Sequence, residues 1–222
     1  MKCSVALRVL SCARKKGARA CSFVPVLYQM KKRIFLWLFM LWVGFGANNV
    51  LGQETNHLHS LILDSETGTL LKGTHHGLYE SRDEAKTWKK RALKGEAPGT
   101  DFMTIVVDPS NPKLLFAGGH DLAVIKSEDG GMTWRRAGRG LPVMDIHALA
   151  IDPTKPQRLH TWAVGHGLYR SDDGAKTWSR INDGPDNSHV TSLTSVPIPT
   201  GMGGIFLYAG TAGGLFQSPD CF

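Results

Sequence analysis

Ser127-Glu128-Asp129-Gly130-Gly131-Met132-Thr133-Trp134 is the stretch of sequence that decides the fold. Two further octapeptides, at residues 81–88 and 171–178, follow the same pattern of Ser-x-Asp-x-(Gly/Ala)-x-Thr-Trp. A segment that returns in this way indicates a repeat architecture, in which every copy builds the same supersecondary unit. We call the pattern the box, and its fixed positions are Ser81, Asp83, Thr87 and Trp88 in the first copy, Ser127, Asp129, Gly131, Thr133 and Trp134 in the second, and Ser171, Asp173, Thr177 and Trp178 in the third.

The spacing of the units predicts a β-propeller. Units begin near residues 57, 101, 145 and 189, so each spans 44 residues. A period in the forties with several short alternating apolar runs is typical of a four-stranded blade. In the second unit we predict strand A at 105–107, strand B at 114–118 and strand C at 124–126, with the box as the hairpin that leads to strand D. The predicted fold class is therefore all-β, a propeller of which about four blades are visible.

The box is predicted to be a tight turn held by its own side chains. The Asp carboxylate can accept hydrogen bonds from backbone N–H groups of the turn, and Ser and Thr can do so more weakly. Glycine at the fourth or fifth position supplies the positive φ that such turns often need. The first box has Glu84 and Ala85 there, so we expect its turn to be less regular. The Trp that ends each box is expected to pack on the adjacent blade.

The boxes resemble those of the BNR/Asp-box superfamily, whose members include sialidases, sortilin-type receptors and photosystem II assembly factors. The resemblance covers residues 57–222. More narrowly, residues 101–103 and 145–149 look like a group of small exported bacterial BNR proteins that are often labelled glycosyl hydrolases. A shared propeller does not imply a shared activity. Sialidase chemistry is not expected, since the opening strands carry no Arg that could bind a sugar carboxylate.

The fourth unit is incomplete in this sequence. Ser218 and Asp220 stand where the first and third box positions belong, and the sequence ends before the Thr-Trp pair. We therefore expect the last blade to lack strand D, as in a truncated six- or seven-bladed propeller. A closed four-bladed ring is the alternative, and it would need a strand from the N-terminal part of the chain. Residues 1–52 contain no good candidate for that strand.

The N-terminal part of the chain has the features of an export signal. Residues 30–33 are Met-Lys-Lys-Arg, and residues 34–47 form an apolar run of fourteen residues, which suits a signal peptide and is short for a membrane span. We predict an unstructured upstream extension at 1–29, a signal peptide or uncleaved anchor at 30–52 and the propeller at 53–222. The protein is therefore expected in the periplasm or outside the cell, with membrane contact only through an uncleaved leader.

The basic character of the chain belongs to this N-terminal part. The formal net charge is +7, yet residues 1–33 hold nine Lys or Arg and no acidic residue, which leaves 17 basic and 19 acidic residues in the rest. A nucleic-acid interface needs clustered basic residues on the folded domain, so nucleic acid is not an expected partner. Cys221 is the only cysteine beyond the first 21 residues, so the domain has no intrachain disulfide.

Histidines gather on one face of the predicted propeller. The D–A and B–C connections open on this face, and the boxes lie on the other. Imidazoles that converge on the channel mouth could bind Zn or Cu, and Met103 nearby would favour Cu(I). The alternative is structural, because a His that caps a turn would also recur in every repeat. The candidate metal ligands are His57, His59, His76, His120, His147, His166 and His189, and His75 adjoins them.

Three functions remain open for this face. We expect a non-catalytic binding scaffold whose ligand is a glycan, a protein or a metal ion. The first alternative is a glycosyl hydrolase acting on an extracellular carbohydrate, which would need two carboxylates beside the scissile bond. Asp101 and Asp145 are the candidates, although both fill the same repeat position and this weakens a catalytic role. The second alternative is a propeller remnant without a function of its own.

Overall fold

The structure is a computed structural model that describes residues 8–9, 57–96, 100–182, 185, 189–198 and 204–220. The predicted signal peptide and nearly all of the upstream extension lie outside the described residues. The described part of the chain is all-β, which confirms the predicted fold class. Within it there is no helix of the length and hydrophobicity that a membrane span requires.

The strands form four sheets, which we call blades 1 to 4 and whose strands we number in chain order. Blade 1 contains β2 (Ser60–Leu63), β3 (Leu70–Thr74), β4 (Gly77–Ser81) and β5 (Lys89–Lys90). Blade 2 contains β6 (Lys94–Gly95), β7 (Thr104–Asp108), β8 (Asn111–Gly119), β9 (Ala123–Ser127) and β10 (Thr133–Arg136). Blade 3 contains β11 (Ile146–Ile151), β12 (Leu159–Ala163), β13 (Gly167–Ser171) and β14 (Ser179–Asn182). Blade 4 contains β15 (Val190–Pro197), β16 (Ile205–Thr211), β17 (Gly214–Asp220) and β1 (Arg8–Val9).

Each blade is an antiparallel meander, as the repeat predicts. Strands A, B and C of blade 2 are β7, β8 and β9, and the turn before β8 is shorter than predicted because β8 already begins at Asn111. Blade 2 also has a fifth strand that sequence analysis missed, because β6 pairs in parallel with the outer strand β10. A parallel pair of two residues leaves no periodic signal in the sequence.

Blade 4 differs from the sequence expectation in its outer strand. Sequence analysis found no strand in residues 1–52, yet Arg8–Val9 pairs antiparallel with β17 and takes the outer position of this sheet. Ser218 and Asp220 lie within β17, because that strand continues through Asp220 beside β16. The Ser of every box likewise lies at the end of strand C, so Ser218 holds the expected position, whereas Asp220 continues the strand.

The hydrophobic core lies between the blades. One cluster joins Leu71 and Leu78 of blade 1 to Phe102 and Trp134 of the second unit. Two further clusters join blades 2 and 3 and blades 3 and 4 in the same way. A sheet with one apolar face must bury that face against another element, and here the element is the next blade. Trp162 lies in strand B of blade 3 and belongs to the third cluster.

Hydroxyl groups connect the inner strands of neighbouring blades. Ser60 Oγ accepts a hydrogen bond of 2.9 Å from the backbone N–H of Ile105. One blade further on, the N–H of Leu149 donates to Thr104 Oγ1 over 3.3 Å. These contacts join residues 45 positions apart, which is one repeat length plus one residue. They fix the inner strands side by side around the axis.

The three boxes are turns held by Ser, Asp and Thr, which confirms their predicted role. In every box the Ser hydroxyl donates to the Asp carboxylate over 2.8 Å and accepts the N–H of the fifth residue over 2.8 to 2.9 Å. The Thr donates to the same carboxylate through its N–H and through its hydroxyl. Trp134 and Trp178 are buried between blades, whereas Trp88 is half-buried below the ammonium of Lys72.

The expectation of a less regular first box is wrong. Its hydrogen bonds match those of the other two boxes within a few tenths of an ångström. Glu84 and Ala85 reach this geometry with φ of 60° and 66°, in the same left-handed region as Gly130 (74°) and Gly174 (71°) at the fourth position of the other boxes. The side-chain hydrogen bonds therefore impose the turn even where the residues oppose it. This left-handed conformation costs about 1 kcal/mol for a residue that has a Cβ.

Glu84→Gly is expected to stabilise the protein. The substitution relieves the left-handed strain, and part of the gain is offset by the greater freedom of glycine in the unfolded chain. The Glu84–Lys86 ion pair is exposed and contributes little. We expect the melting temperature to rise by about 1 to 3 °C. Glu66→Gly is the matched control, since Glu66 is exposed in a turn without positive φ, and this variant should be destabilised. An equal loss of thermal stability in Glu84→Gly and Glu66→Gly would contradict the strain argument.

The boxes also predict how stability depends on pH. Burial alone would raise the pKa of Asp129 and Asp173, but hydrogen bonds from the Thr, the Ser and the backbone outweigh it and hold both at about 2. The pKa of Asp83 is about 2 as well, chiefly because Thr87 donates to it. A depressed carboxyl pKa contributes stability above the unfolded value of 3.8 that is lost as pH falls towards 2.

Urea unfolding followed between about pH 6 and pH 2 is expected to show this loss. The free energy of unfolding should fall steeply only below about pH 4, because all three box carboxylates then bind protons on unfolding. Asp173→Asn should lower stability at pH 6 and flatten the decline below pH 4. An unchanged slope in this variant would show that other carboxyls cause the acid sensitivity.

Candidate functional site

A cluster of imidazoles and carboxylates lies at the channel mouth, and two kinds of position supply it. The residues that precede strand A, or open it, provide His59, Asp101, Asp145 and His147. His75 and His120 are each the first residue of a B–C loop, because the last paired residues before these loops are Thr74↔Gly77 in blade 1 and Gly119↔Ala123 in blade 2. We call the set of His59, His75, Asp101, His120, Asp145 and His147 the His–Asp cluster.

Asp101 is the centre of the hydrogen bonds in this cluster. His75 Nδ1 lies 2.9 Å from both carboxylate oxygens of Asp101, and His120 Nδ1 lies 2.8 Å from Oδ2. A carboxylate accepts, so both rings are assigned as carrying a proton on Nδ1. Their Nε2 lone pairs then face outward. His75 Nε2 lies 2.8 Å from His59 Nε2, and His120 Nε2 lies 3.0 Å from His147 Nε2.

Asp145 has an unusual place beside the second of these pairs. Its Oδ1 lies 3.0 Å from His147 Nε2 and 3.7 Å from His120 Nε2. This oxygen is buried, and no well-oriented hydrogen bond from the described residues reaches it, although His147 Nε2 lies within ion-pair distance. Three possible ligand atoms thus form a triangle with edges of 3.0, 3.0 and 3.7 Å. Two ligands of a tetrahedral Zn²⁺ at its usual bond lengths lie about 3.3 Å apart, so the triangle has the dimensions of a metal site.

Burial and neighbouring groups favour the neutral form of His59 and His147 and the ionised form of Asp101. Burial and then the neighbouring His75 lower the pKa of His59. Burial also lowers the pKa of His147, and this effect exceeds the opposing attraction of Asp145. For Asp101, burial alone would raise the pKa, but the hydrogen bonds from His75 and His120 outweigh it and lower the value. These are the protonation states in which both residue types bind metal ions.

The structure brings together some of the predicted ligands and separates others. His59, His120 and His147 belong to the His–Asp cluster. His57 and His189 flank it, with ring centroids 6.5 Å from His75 and 5.1 Å from His147. His76 and His166 are exposed on their turns, outside the cluster. His160, placed in strand B from the sequence, is buried in β12.

His75 is the ligand candidate that the sequence list omitted. Sequence analysis named His76 of this turn as the candidate and His75 only as its neighbour. The strands show that the loop of blade 1 has two residues and that of blade 2 has three, so His75 and His120 both hold the first loop position. Counting forward from the end of strand B would have found it. The corresponding residue in blade 3 is Val164, which explains why that loop adds no ligand.

Comparisons with known proteins agree with this architecture. A search of curated protein sequences gave no match. Among solved structures, YCF48 from Cyanidioschyzon merolae is similar, with a TM-score of 0.54 and 14% identity over 72% of this chain and 50% of that chain. The GH74 enzyme of Niastella koreensis has a TM-score of 0.50 and 21% identity over 71% of this chain and 26% of that one. This chain thus spans between a quarter and half of these proteins, and the likeness shows the fold alone.

The blades and the three boxes define the chain as a BNR-type β-propeller protein, as the sequence resemblance implied. Its family follows from the sequence match. The family described as photosynthesis system II assembly factor YCF48 matches residues 50–194, which is more than half of the chain. The chain therefore belongs to this family.

The tautomers assigned to the cluster can be tested by ¹⁵N NMR of the metal-free protein. At about pH 8, where histidines are neutral, His75 and His120 should carry their proton on Nδ1 because Asp101 accepts it. In Asp101→Asn the amide offers only one acceptor oxygen, so at least one ring should shift towards the Nε2–H form. His166 is exposed on an equivalent turn and serves as the internal control. Nε2–H forms of His75 and His120 in the unmodified protein would contradict the assignment.

Proposed function

We propose that this protein is a non-catalytic, exported binding scaffold whose propeller mouth binds a divalent transition-metal ion through His120, Asp145 and His147. One observation carries the proposal. Asp145 Oδ1 is buried without a hydrogen bond, and it faces two imidazole nitrogens at metal-ligand spacing. A buried acceptor without a partner costs about 1 to 3 kcal/mol, and a metal ion would remove that cost.

The surroundings of His120 support the proposal. A ligating histidine commonly donates its other ring N–H to a carboxylate, which fixes the ring and raises its basicity. Asp101 stands in that position, 2.8 Å from His120 Nδ1. His189 lies beside His147 and is available as a further donor. Two imidazoles and one carboxylate favour Zn²⁺ or Cu²⁺ over Ca²⁺ and Mg²⁺, which take oxygen ligands.

A binding scaffold agrees with the family to which the chain belongs and with the coordination position that this site leaves free. The family is named for an assembly factor, and a role in holding another molecule is the property that we carry over to this chain. Three protein ligands leave a coordination position free. Water can fill it, and so can a donor atom of a bound protein or glycan. Export of the protein follows from the apolar segment at residues 34–47 and is part of the proposal.

A glycosidase is less well supported by the same residues. Its general acid needs a raised pKa, whereas the pKa of Asp101 is lowered. Asp145 is directed at His147 within the His–Asp cluster. A groove of about 730 Å³ elsewhere on the protein, beside β9 and β10, is lined by Arg136, Arg139 and Lys176 and contains no Asp or Glu among its lining residues. Neither place offers an acid and a base that flank a sugar.

Zinc binding by the full chain tests the proposed function. Equilibrium dialysis with Zn²⁺, read by elemental analysis, should show binding that His147→Ala weakens by at least about 100-fold. Loss of a direct ligand should exceed the 10- to 100-fold effect typical of an outer-shell partner. Asp145→Asn should weaken binding as well, because the amide is a poorer ligand.

His166→Ala is the matched control for these variants. It removes an exposed imidazole from an equivalent turn outside the cluster, so zinc affinity should not change. Thermal melts without metal establish that each variant is folded. If folded His147→Ala and Asp145→Asn bind zinc as tightly as the unmodified protein, the proposed site is wrong.

A further inference from the structure

We propose that the mouth holds a second metal ion, bound by His59 and His75, and that Asp101 positions the ligands of both ions at once. This inference rests on the proposed function, because it extends the His120–Asp145–His147 site to a pair of sites. It assigns Asp101 as a positioning residue between the two metal ions.

The His59–His75 pair has the same geometry as the His120–His147 pair. Its Nε2 atoms are 2.8 Å apart, against 3.0 Å in the other pair. In each pair one ring is fixed through Nδ1 by Asp101, and the other comes from the start of strand A. A second pair of converging imidazole nitrogens therefore lies on the other side of Asp101, within blade 1 rather than between two blades.

Asp101 makes the two arrangements depend on each other. One carboxylate accepts from His75 Nδ1 and from His120 Nδ1, at 2.8 to 2.9 Å. The two rings are held nearly parallel, with an interplanar angle of 25° and centroids 5.9 Å apart. Both Nε2 lone pairs consequently face away from Asp101, one towards each neighbouring blade. Because Asp101 accepts the Nδ1–H groups of both rings, it cannot bind a metal ion together with those Nδ1 atoms.

The two sites differ in the donors that complete them. The first has the Asp145 carboxylate within the triangle. Beside the His59–His75 pair the further donor is the exposed His57, whose ring centroid lies 6.5 Å from that of His75. A site that must recruit an exposed side chain loses rotamer entropy on binding. The second ion should therefore bind more weakly than the first.

Metal binding at either pair needs no net release of a proton. Because Asp101 holds the proton of His75 on Nδ1, the short contact to His59 requires a proton on His59 Nε2. The metal ion takes the place of that proton, which moves to His59 Nδ1. The same exchange applies to His147 at the first site. The hydrogen bonds of the metal-free cluster thus keep the ligand atoms close together until an ion replaces the shared proton.

The experiment counts zinc ions bound to the full chain by native mass spectrometry and measures their affinities by competition with a chelator. The unmodified protein should bind two ions. His59→Ala should bind one, with the affinity of the tighter site, and His147→Ala should bind one, with the affinity of the weaker site. Asp101→Asn should weaken both ions by about 10- to 100-fold, the usual effect of an outer-shell carboxylate. His166→Ala should be unchanged.

The outcomes separate this inference from the proposed function. A single ion that is lost with His147→Ala and indifferent to His59→Ala would overturn the second site and leave the proposed function intact. No zinc binding by the folded protein would overturn both. A third outcome is a single ion that is lost in His75→Ala and in His120→Ala but kept in His59→Ala and His147→Ala. Asp101 would then be a direct ligand, and both the second site and the proposed function would be overturned. If the metal-free Asp101→Asn protein melts much lower, Asp101→Glu, which keeps a carboxylate, must restore affinity at both sites.

Discussion

The whole structure depends on one constraint, which is that no blade can bury its own apolar face. The three core clusters lie between blades 1 and 2, 2 and 3, and 3 and 4. Each inner strand must therefore lie beside the next, and the Ser60 and Thr104 hydroxyls connect them there. Once the blades stack in this way, equivalent positions of successive repeats converge on one axis. The His–Asp cluster is a consequence of that convergence.

The boxes make this stacking regular from the opposite face. Their carboxylates satisfy the backbone N–H groups of a tight turn, and the Trp that follows in the second and third boxes enters the core between blades. The turn is therefore coupled to the packing through adjacent residues. In the first box, whose Trp88 is only half-buried, the same hydrogen bonds hold Glu84 and Ala85 at positive φ although neither favours it. Side-chain hydrogen bonds decide the backbone conformation at this position.

The sequence predicts the fold well, because the repeat carries the information several times. Strand order, the box turns and the face on which the histidines gather all follow from a period of 44 residues. The details of the cluster do not, since they depend on loop length. The shorter B–C loop of blade 1 makes His75 rather than His76 the first loop residue, and in blade 3 that position is Val164, which leaves His166 outside. The parallel strand β6 and the pairing of Arg8–Val9 are equally invisible, because contacts of two residues have no period.

The energetics of the cluster favour a ligand over a purely structural role. Imidazoles that only capped turns would donate to backbone carbonyls within their own loops, and each repeat would be satisfied separately. Here the contacts form one series from His59 to His75, Asp101, His120 and His147, and the His75–Asp101 and His120–His147 steps cross from one unit to the next. The series reaches Asp145 Oδ1, which is buried and accepts no hydrogen bond from the described residues. A structural network gains most when every member is satisfied. A buried acceptor beside two ring nitrogens that share a single proton instead fits a site in which a cation replaces that proton.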